Sequence, residues 1–335
     1  MGDVDRPDGG VGRPDGATVI PAAPAQRAGR SVRRGRRGAR RARFGRAELA
    51  AVLARVCAVA GLDPEDATLL RVTNNAVFRL ARQPVVVRVV ASRALRHRVA
   101  KVVRVAEWLA QHDVPAVRLW GGVPQPVRVG PHRATLWHAV PEVGDRPTGV
   151  DLARLLRRLH ALPPPPFPLP HWEPLDDVRR RLADAEEELD PDDRAFLEQR
   201  CAEVAAELAG LEWVFPRGPV HGDAHLGNLI PGPDGPVLCD FDSTCHGPRE
   251  WDLTPVAVGQ LRFRRSSAHE ELAAAYGFDV MRWSGFPVLR AVRELKLVTS
   301  VLPVLRSNPG VAAELRLRLR SFRSGDTSVR WTPYR

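Results

Sequence analysis

The apolar residues of this 335-residue chain change rhythm once, near Val140, and that change limits the folds open to it. Before it, short runs rich in Val, Leu and Phe (67–72, 76–80 and 85–90) are punctuated by Asn74-Asn75 and Gln83-Pro84, a strand-and-turn pattern. A helix is predicted over 95–111, then strands near 117–120, 127–129 and 134–140. After Val150 helical spacing takes over, at 151–161, 175–189, 192–211, 248–259, 269–275, 288–305 and 311–322. Short strand-like pieces at 220–221, 228–230 and 237–239 interrupt this helical half. The order predicts an α+β, two-lobed fold: a small antiparallel β-rich lobe with one inserted helix, then a larger helical lobe. A ligand cleft is expected where the lobes meet. The expected boundaries are 1–45 (an extension), 46–141 (the N-terminal, nucleotide-binding lobe, opening with a helix stopped by Gly61), 142–322 (the C-terminal catalytic and substrate lobe) and 323–335 (a tail).

Charge adds less than it first promises. A net charge of +11 and a pI near 10.8 would ordinarily point to nucleic acid. Residues 1–46, however, hold twelve Arg and four Asp, so eight of the eleven surplus charges lie there and the body is close to balanced. Residues 1–45 are Gly, Pro, Ala, Asp and Arg with few large apolar residues, so they cannot offset their ordering entropy and are expected to be disordered. Apart from Phe44 the arm lacks interleaved aromatics, so only weak nucleic-acid binding is expected of it. No run of eighteen apolar residues exists, so no membrane span is expected. The start is polar, and four Cys (57, 201, 239 and 245) without C-x-x-C make no disulfide framework; a reducing, cytoplasmic location and a monomer are expected. Only Lys101 and Lys296 are lysines among fifty basic residues; with abundant Ala, Pro and Arg, this reads as a GC-rich bacterial genome.

The chemistry concentrates in His221-Gly-Asp-Ala-His-Leu-Gly-Asn228, followed twelve residues later by Asp240-Phe241-Asp242. Asp223 and Asn228 share one short loop, and Asp240 ends a short apolar strand. A carboxylate and an amide oxygen are hard ligands that suit Mg²⁺, which bridges phosphate oxygens, and the remaining carboxylate can orient an attacking hydroxyl and accept its proton. That is the phosphoryl-transfer template, H-x-D-x-x-x-x-N followed by D-F-x. A metal-dependent hydrolase is the other chemical reading, using His221 and His225 with Cys239, Cys245 and His246; it leaves Asn228 and the D-F-D without a role. Turn-capping alone explains one or two of these residues but not His221, Asp223, Asn228 and Asp240 together.

With Trp251-Asp252-Leu253 downstream, the motif resembles that of the aminoglycoside phosphotransferase family, within the protein-kinase-like fold, and by element order the likeness runs over roughly residues 46–320. The resemblance implies a catalytic Asp223 braced by His221, magnesium ligands Asn228 and Asp240, and a structural Asp252. It places Arg88 where the family has a third-strand lysine on the α- and β-phosphates. It also places Asn74 and Asn75 in the loop over the nucleotide, although no G-x-G-x-x-G is present. The next helix should offer a Glu to pair with Arg88, and Glu107 is the only acid there. The implied activity is Mg²⁺-dependent transfer of the γ-phosphoryl of ATP or GTP to a hydroxyl of a small molecule, with a nucleotide-binding protein that transfers nothing as the alternative. The family's acceptors span antibiotics, sugars and amino alcohols. The acidic run 186–193 reads as a solvated helix corner, or as an attractor of a polycationic acceptor.

Overall fold

Five antiparallel strands form the small lobe in the computed structural model, which describes residues 45–72, 75–90, 96–185, 189–263 and 266–334. They are β1 (Thr68–Val72), β2 (Asn75–Arg79), β3 (Val85–Val90), β4 (Val127–Val129) and β5 (His132–His138), in the order β1-β2-β3-β5-β4. Helix α1 (Arg46–Ala60) precedes the sheet and packs Leu49, Val52, Leu53 and Val56 into its core. It stops at Gly61, whose φ of 66° is the left-handed conformation that glycine adopts without a Cβ penalty. Helix α2 (Arg98–Gln111) follows β3 and buries Val102, Val105, Ala106, Trp108 and Leu109 in the core shared by the two lobes.

Two expectations for this lobe change. Asn75 opens β2 rather than closing a turn, and Asn74 lies outside the described residues, as do residues 1–44 and part of the acidic run, 186–188. The strand expected near 117–120 is present only as isolated bridges, Leu119 to Trp137 and Ala116 to Leu238. Its backbone is divided between two partners: Arg118 C=O accepts from His138 N–H at 2.9 Å, while Val117 N–H donates to Leu238 C=O at 2.9 Å in the large lobe. A segment split in this way stitches lobes together but cannot run as a ladder.

The large lobe holds α3 (Gly149–His160), α4 (Asp176–Asp184), α5 (Pro191–Ala209), α6 (Arg249–Arg262), α7 (Ala268–Tyr276), α8 (Phe286–Thr299) and α9 (Ala312–Arg323). Helix α3 starts at a capping box, with Thr148 N–H donating to Asp151 Oδ2 at 2.9 Å and Asp151 N–H to Thr148 Oγ1 at 3.3 Å. It buries Leu152, Leu155, Leu156 and Leu159. Gly149 lets α3 meet α7 backbone to backbone: a Cβ there would lie 2.1 Å from the Ala268 carbonyl oxygen. The helix expected over 288–305 ends at Thr299 and passes into a tighter 3₁₀ turn at Leu302–Ser307, because Pro303 has no N–H to continue the α pattern. Two small ribbons sit at the lobe's centre: β6 (Gly218–Val220) pairs with β9 (Cys245–Gly247), and β7 (Leu229–Ile230) with β8 (Val237–Leu238). At three residues, β9 is too short to show a period in the sequence. The last residues are not a loose tail. Trp331 is buried and its N–H donates to the Arg262 carbonyl at 2.5 Å. Among the described residues, no helix is long and apolar enough to cross a membrane.

Candidate active site

The two ribbons explain how a loop so poor in regular structure is held. Strand β6 delivers the chain to His221, the 221–228 loop ends at β7, and β8 leads to Asp240. Gly222 has φ 84°, and a Cβ there would come within 2.1 Å of the Ser243 carbonyl oxygen, so this position of the motif accepts only glycine without displacement. Behind the loop lies Asp252, fully buried in the first turn of α6. It accepts from His221 N–H at 2.7 Å, from Gly222 N–H at 2.8 Å and from His160 Nε2 at 3.0 Å. His160 Nδ1 in turn meets the Tyr276 hydroxyl at 2.8 Å, and Trp251 Nε1–H donates to Gly222 C=O at 2.8 Å. A buried carboxylate that collects several donors costs little and fixes their directions.

Hydrogen bonds also lock the loop to the Asp240 segment. His221 Nε2 pairs with the Cys239 carbonyl at 3.0 Å, and Cys239 N–H donates to the Asn228 carbonyl at 3.0 Å. Asn228 Nδ2 donates to the Asp223 carbonyl at 2.8 Å, which leaves Oδ1 as the atom of that amide to take a cation. Asp240 has φ 67°, a left-handed value that Asp tolerates better than most residues. Its carboxylate is met only loosely, by Arg71 and Arg88 at 3.7 Å each. An amide oxygen and a lightly engaged carboxylate fit Mg²⁺, which takes one or two protein ligands and fills its other positions with phosphate oxygens and water. A hydrolase-type centre finds less support. Among the described residues no three His, Cys, Asp or Glu side chains form a metal-binding group, and His221 is engaged with Cys239 and, through Nδ1, with Asp223 N–H at 3.4 Å.

Asp223 faces the large lobe. Its Oδ1 accepts from Arg293 of α8 at 2.7 Å, and His225 Nε2 stands 3.8 Å from Oδ2. Burial pushes this carboxyl up, but Arg293, His225 and His221 together hold it well below the usual carboxylate range. It is an anion at neutral pH. Burial lowers His225 despite the pull of Asp223, so its imidazole is neutral there.

From the small lobe, Arg88 of β3 reaches across the cleft to Asp242, with which it is in direct contact, and Asn75 Nδ2 approaches the same carboxylate at 3.4 Å. Burial lowers the Arg88 guanidinium below its ordinary value against the opposing pull of Asp240. Glu107 is exposed on α2. The α2 residue that turns inward is Lys101, which donates to the carbonyls of Asp242 at 2.6 Å and Thr244 at 2.8 Å. Burial pushes this ammonium down to about 7. Asp242, Lys101 and Arg293 are thus further residues of the site. Asp242 was visible in the D-F-D and Lys101 in the scarcity of lysine, whereas Arg293 carries no local signal.

A family model for phosphotransferase enzymes matches residues 66–294. The chain belongs to the phosphotransferase enzyme family. Solved structures resemble this family member along most of its length. An amicoumacin kinase solved with AMP-PNP and Ca²⁺ aligns at a TM-score of 0.62 and 14% identity, covering 83% of this chain and 94% of its own. A choline/ethanolamine kinase family protein from Mesorhizobium loti aligns at 0.59 and 17%, covering 82% and 93%. An aminoglycoside phosphotransferase from Streptomyces rimosus aligns at 0.50 and 25%, covering 74% and 98%. No curated protein matches the chain. The kinase-like, two-lobed fold expected from the sequence is thus the fold of this phosphotransferase family member.

Proposed function

We propose that the protein transfers the γ-phosphoryl group of ATP or GTP to a hydroxyl of a small molecule. One observation carries the reading. The 221–228 loop and the 240–242 segment are hydrogen-bonded to each other, and Arg88 and Lys101 of the opposite lobe both reach that segment. Asp223, ionised and about a third exposed at 36%, orients the acceptor hydroxyl and receives its proton as the oxygen–phosphorus bond forms and the bond to the departing nucleoside diphosphate breaks. Asn228 Oδ1 and Asp240 hold Mg²⁺, which when bound neutralises charge on the phosphate oxygens. Arg88, kept in place by Asp242, adds a second cation on the phosphate side, with Asn75 beside it on the same carboxylate. His221 and Asp252 hold the loop in shape. The protein's contribution is position and electrostatics.

The test is a screen of hydroxyl-bearing acceptors with Mg-ATP and Mg-GTP, scored by nucleoside diphosphate release and phosphorylated product, with Asp223→Asn as control. Transfer that disappears in Asp223→Asn supports the mechanism, and transfer that survives it rejects the assignment of Asp223. Nucleotide binding with no transfer to any acceptor moves the protein to the non-transferring alternative.

A further inference from the structure

The acceptor side of Asp223 is walled by cations. Arg293 and Lys296 project from one face of α8, and Arg181 of α4 donates to the Lys296 carbonyl at 3.2 Å. Arg180, also on α4, and Arg98, at the start of α2, both bond the same carboxylate, Asp177, with Arg98 at 3.2 Å; Lys296 Nζ stands 3.8 Å from it. Five cationic groups therefore face two carboxylates, Asp177 and Asp223, with contributions from both lobes. The side chains of Arg293 and Lys296 are only 13% and 19% exposed, so solvent screens these two least, while Arg98 and Arg180 on the rim are 25% and 37% exposed. Burial, then the neighbouring Arg181 and Arg293, lowers the Lys296 ammonium to about 8 in spite of Asp177 and Asp223. Arg181 is lowered in the same way by burial and by Arg180, Arg98 and Arg293. Buried cations in excess of their counter-ions are costly, and a cluster held in that state beside a cleft is a candidate site for an anion.

We infer that the acceptor is a hydroxyl-bearing anion, a carboxylate or phosphate ester, whose charged group sits between Arg293 and Lys296 while its hydroxyl lies at Asp223. The inference rests on the phosphotransferase reading for the site and adds its substrate class. Arg293 donates to Asp223 through Nη1, and a guanidinium fork has further N–H groups for a planar anion. The same wall repels a polycation such as an aminoglycoside, and a quaternary amine such as choline.

The experiment compares glycerate, gluconate and glycerol phosphate with their neutral counterparts glycerol and glucose, and with the cations streptomycin and choline. Turnover with Mg-ATP and thermal stabilisation without nucleotide are both read, for the wild-type chain, Lys296→Met and Arg293→Gln. The expected result is transfer to one or more of the anions at a kcat/KM about tenfold to a hundredfold above the neutral counterpart. In Lys296→Met the acceptor KM rises by about tenfold and the KM for ATP stays the same. Preference for neutral or cationic acceptors overturns the inference, as does an anion preference unchanged in both variants. So does a Lys296→Met effect on ATP instead of the acceptor, which would make the nucleotide phosphates the missing anion. If no acceptor turns over, the phosphotransferase reading fails separately. Stabilisation by the anions that is lost in both variants still upholds the anion site, and stabilisation absent or kept in both rejects it.

Discussion

Helix α8 serves two buried charge clusters, and they are built on opposite principles. On one face Glu294, itself buried, accepts from Arg262 Nε at 2.7 Å. Arg262 also donates to the Asp326 carbonyl at 2.7 Å and lies 4.5 Å from the Trp331 ring centre. Nearby, Arg318 pairs with Glu314 at 2.8 Å, donates to Leu297 C=O at 3.0 Å and packs against Tyr334 at 3.8 Å. Arg262 and Arg318 each meet a carboxylate at close range, backbone acceptors and aromatic faces, and Glu294 also stands 3.7 Å from Arg290 Nε. On the other face Arg293 and Lys296 share Asp177 and Asp223 with three more arginines. The compensated cluster is a strut that ties the C-terminal residues to the lobe. The cluster with surplus charge shares two carboxylates among five cations, which is the arrangement the proposed anionic acceptor would complete.

The first way to break the comparison is to remove one counter-ion from each side. Glu294→Ala leaves Arg262 buried without its carboxylate and is expected to cost about 3–5 kcal/mol, enough to lower the yield of folded protein. Chemical denaturation measures it. A loss under about 1 kcal/mol would mean that the Trp331 side is no strut. Asp223→Asn is the matching change on the other face. Transfer activity is expected to fall by about a thousandfold, and stability by about 2 kcal/mol, because the carboxamide still accepts from Arg293 but no longer balances its charge. Steady-state kinetics and a thermal melt on the same preparation separate the two effects. A large stability loss with retained activity would reverse the roles assigned to the two faces.

These two faces also show what a sequence displays and what it hides. The change of apolar rhythm near Val140 was enough for the two lobes, because the period of burial is written in consecutive residues. The 221–242 motif was equally legible, since its side chains converge from a short span held by ribbons. Arg293 could not be read in that way. It lies seventy residues beyond Asp223 in sequence and reaches it only because α8 packs behind the loop. The partner of Arg88 was sought on the following helix, at Glu107, and the structure supplies Asp242 from the other lobe. Pairing across a cleft depends on how the lobes close, which local spacing does not encode. Lysine usage was the one available hint. Both lysines of the chain, Lys101 and Lys296, are in the site interior, where a compact ammonium whose pKa shifts with burial differs most from a guanidinium.

A smaller effect sharpens the comparison through pH. Burial raises the Asp177 carboxyl, but Lys296, Arg98, Arg181 and Arg180 together bring it down to about 2 from 3.8. A folded-state value below the unfolded one means stabilisation that is complete above about pH 4 and lost as pH falls toward 2, worth about 2 kcal/mol. Asp177→Asn should therefore lose about that much at pH 7 and show a flatter acid limb in its stability profile. An acid limb identical to the wild type would mean that Asp177 does not hold the cations together.

The smallest expected effect is opposite in sign. Lys296 titrates at about 8 in the folded chain against 10.5 ordinarily, so the unfolded chain binds the additional proton between those values and native stability rises with pH across that window. Below it the full cost of keeping the ammonium charged is present, with an upper bound of about 3 kcal/mol. Lys296→Met removes the charge and keeps most of the stem's volume. Asp177 and Asp223 already offset part of that cost in the wild type, so a gain of about 1 kcal/mol at pH 7 is expected, shrinking as pH approaches 10. Urea denaturation of both proteins at pH 7 and pH 10 tests it. A variant that is less stable at pH 7 would show that Lys296 is compensated after all, and the two faces of α8 would then be alike.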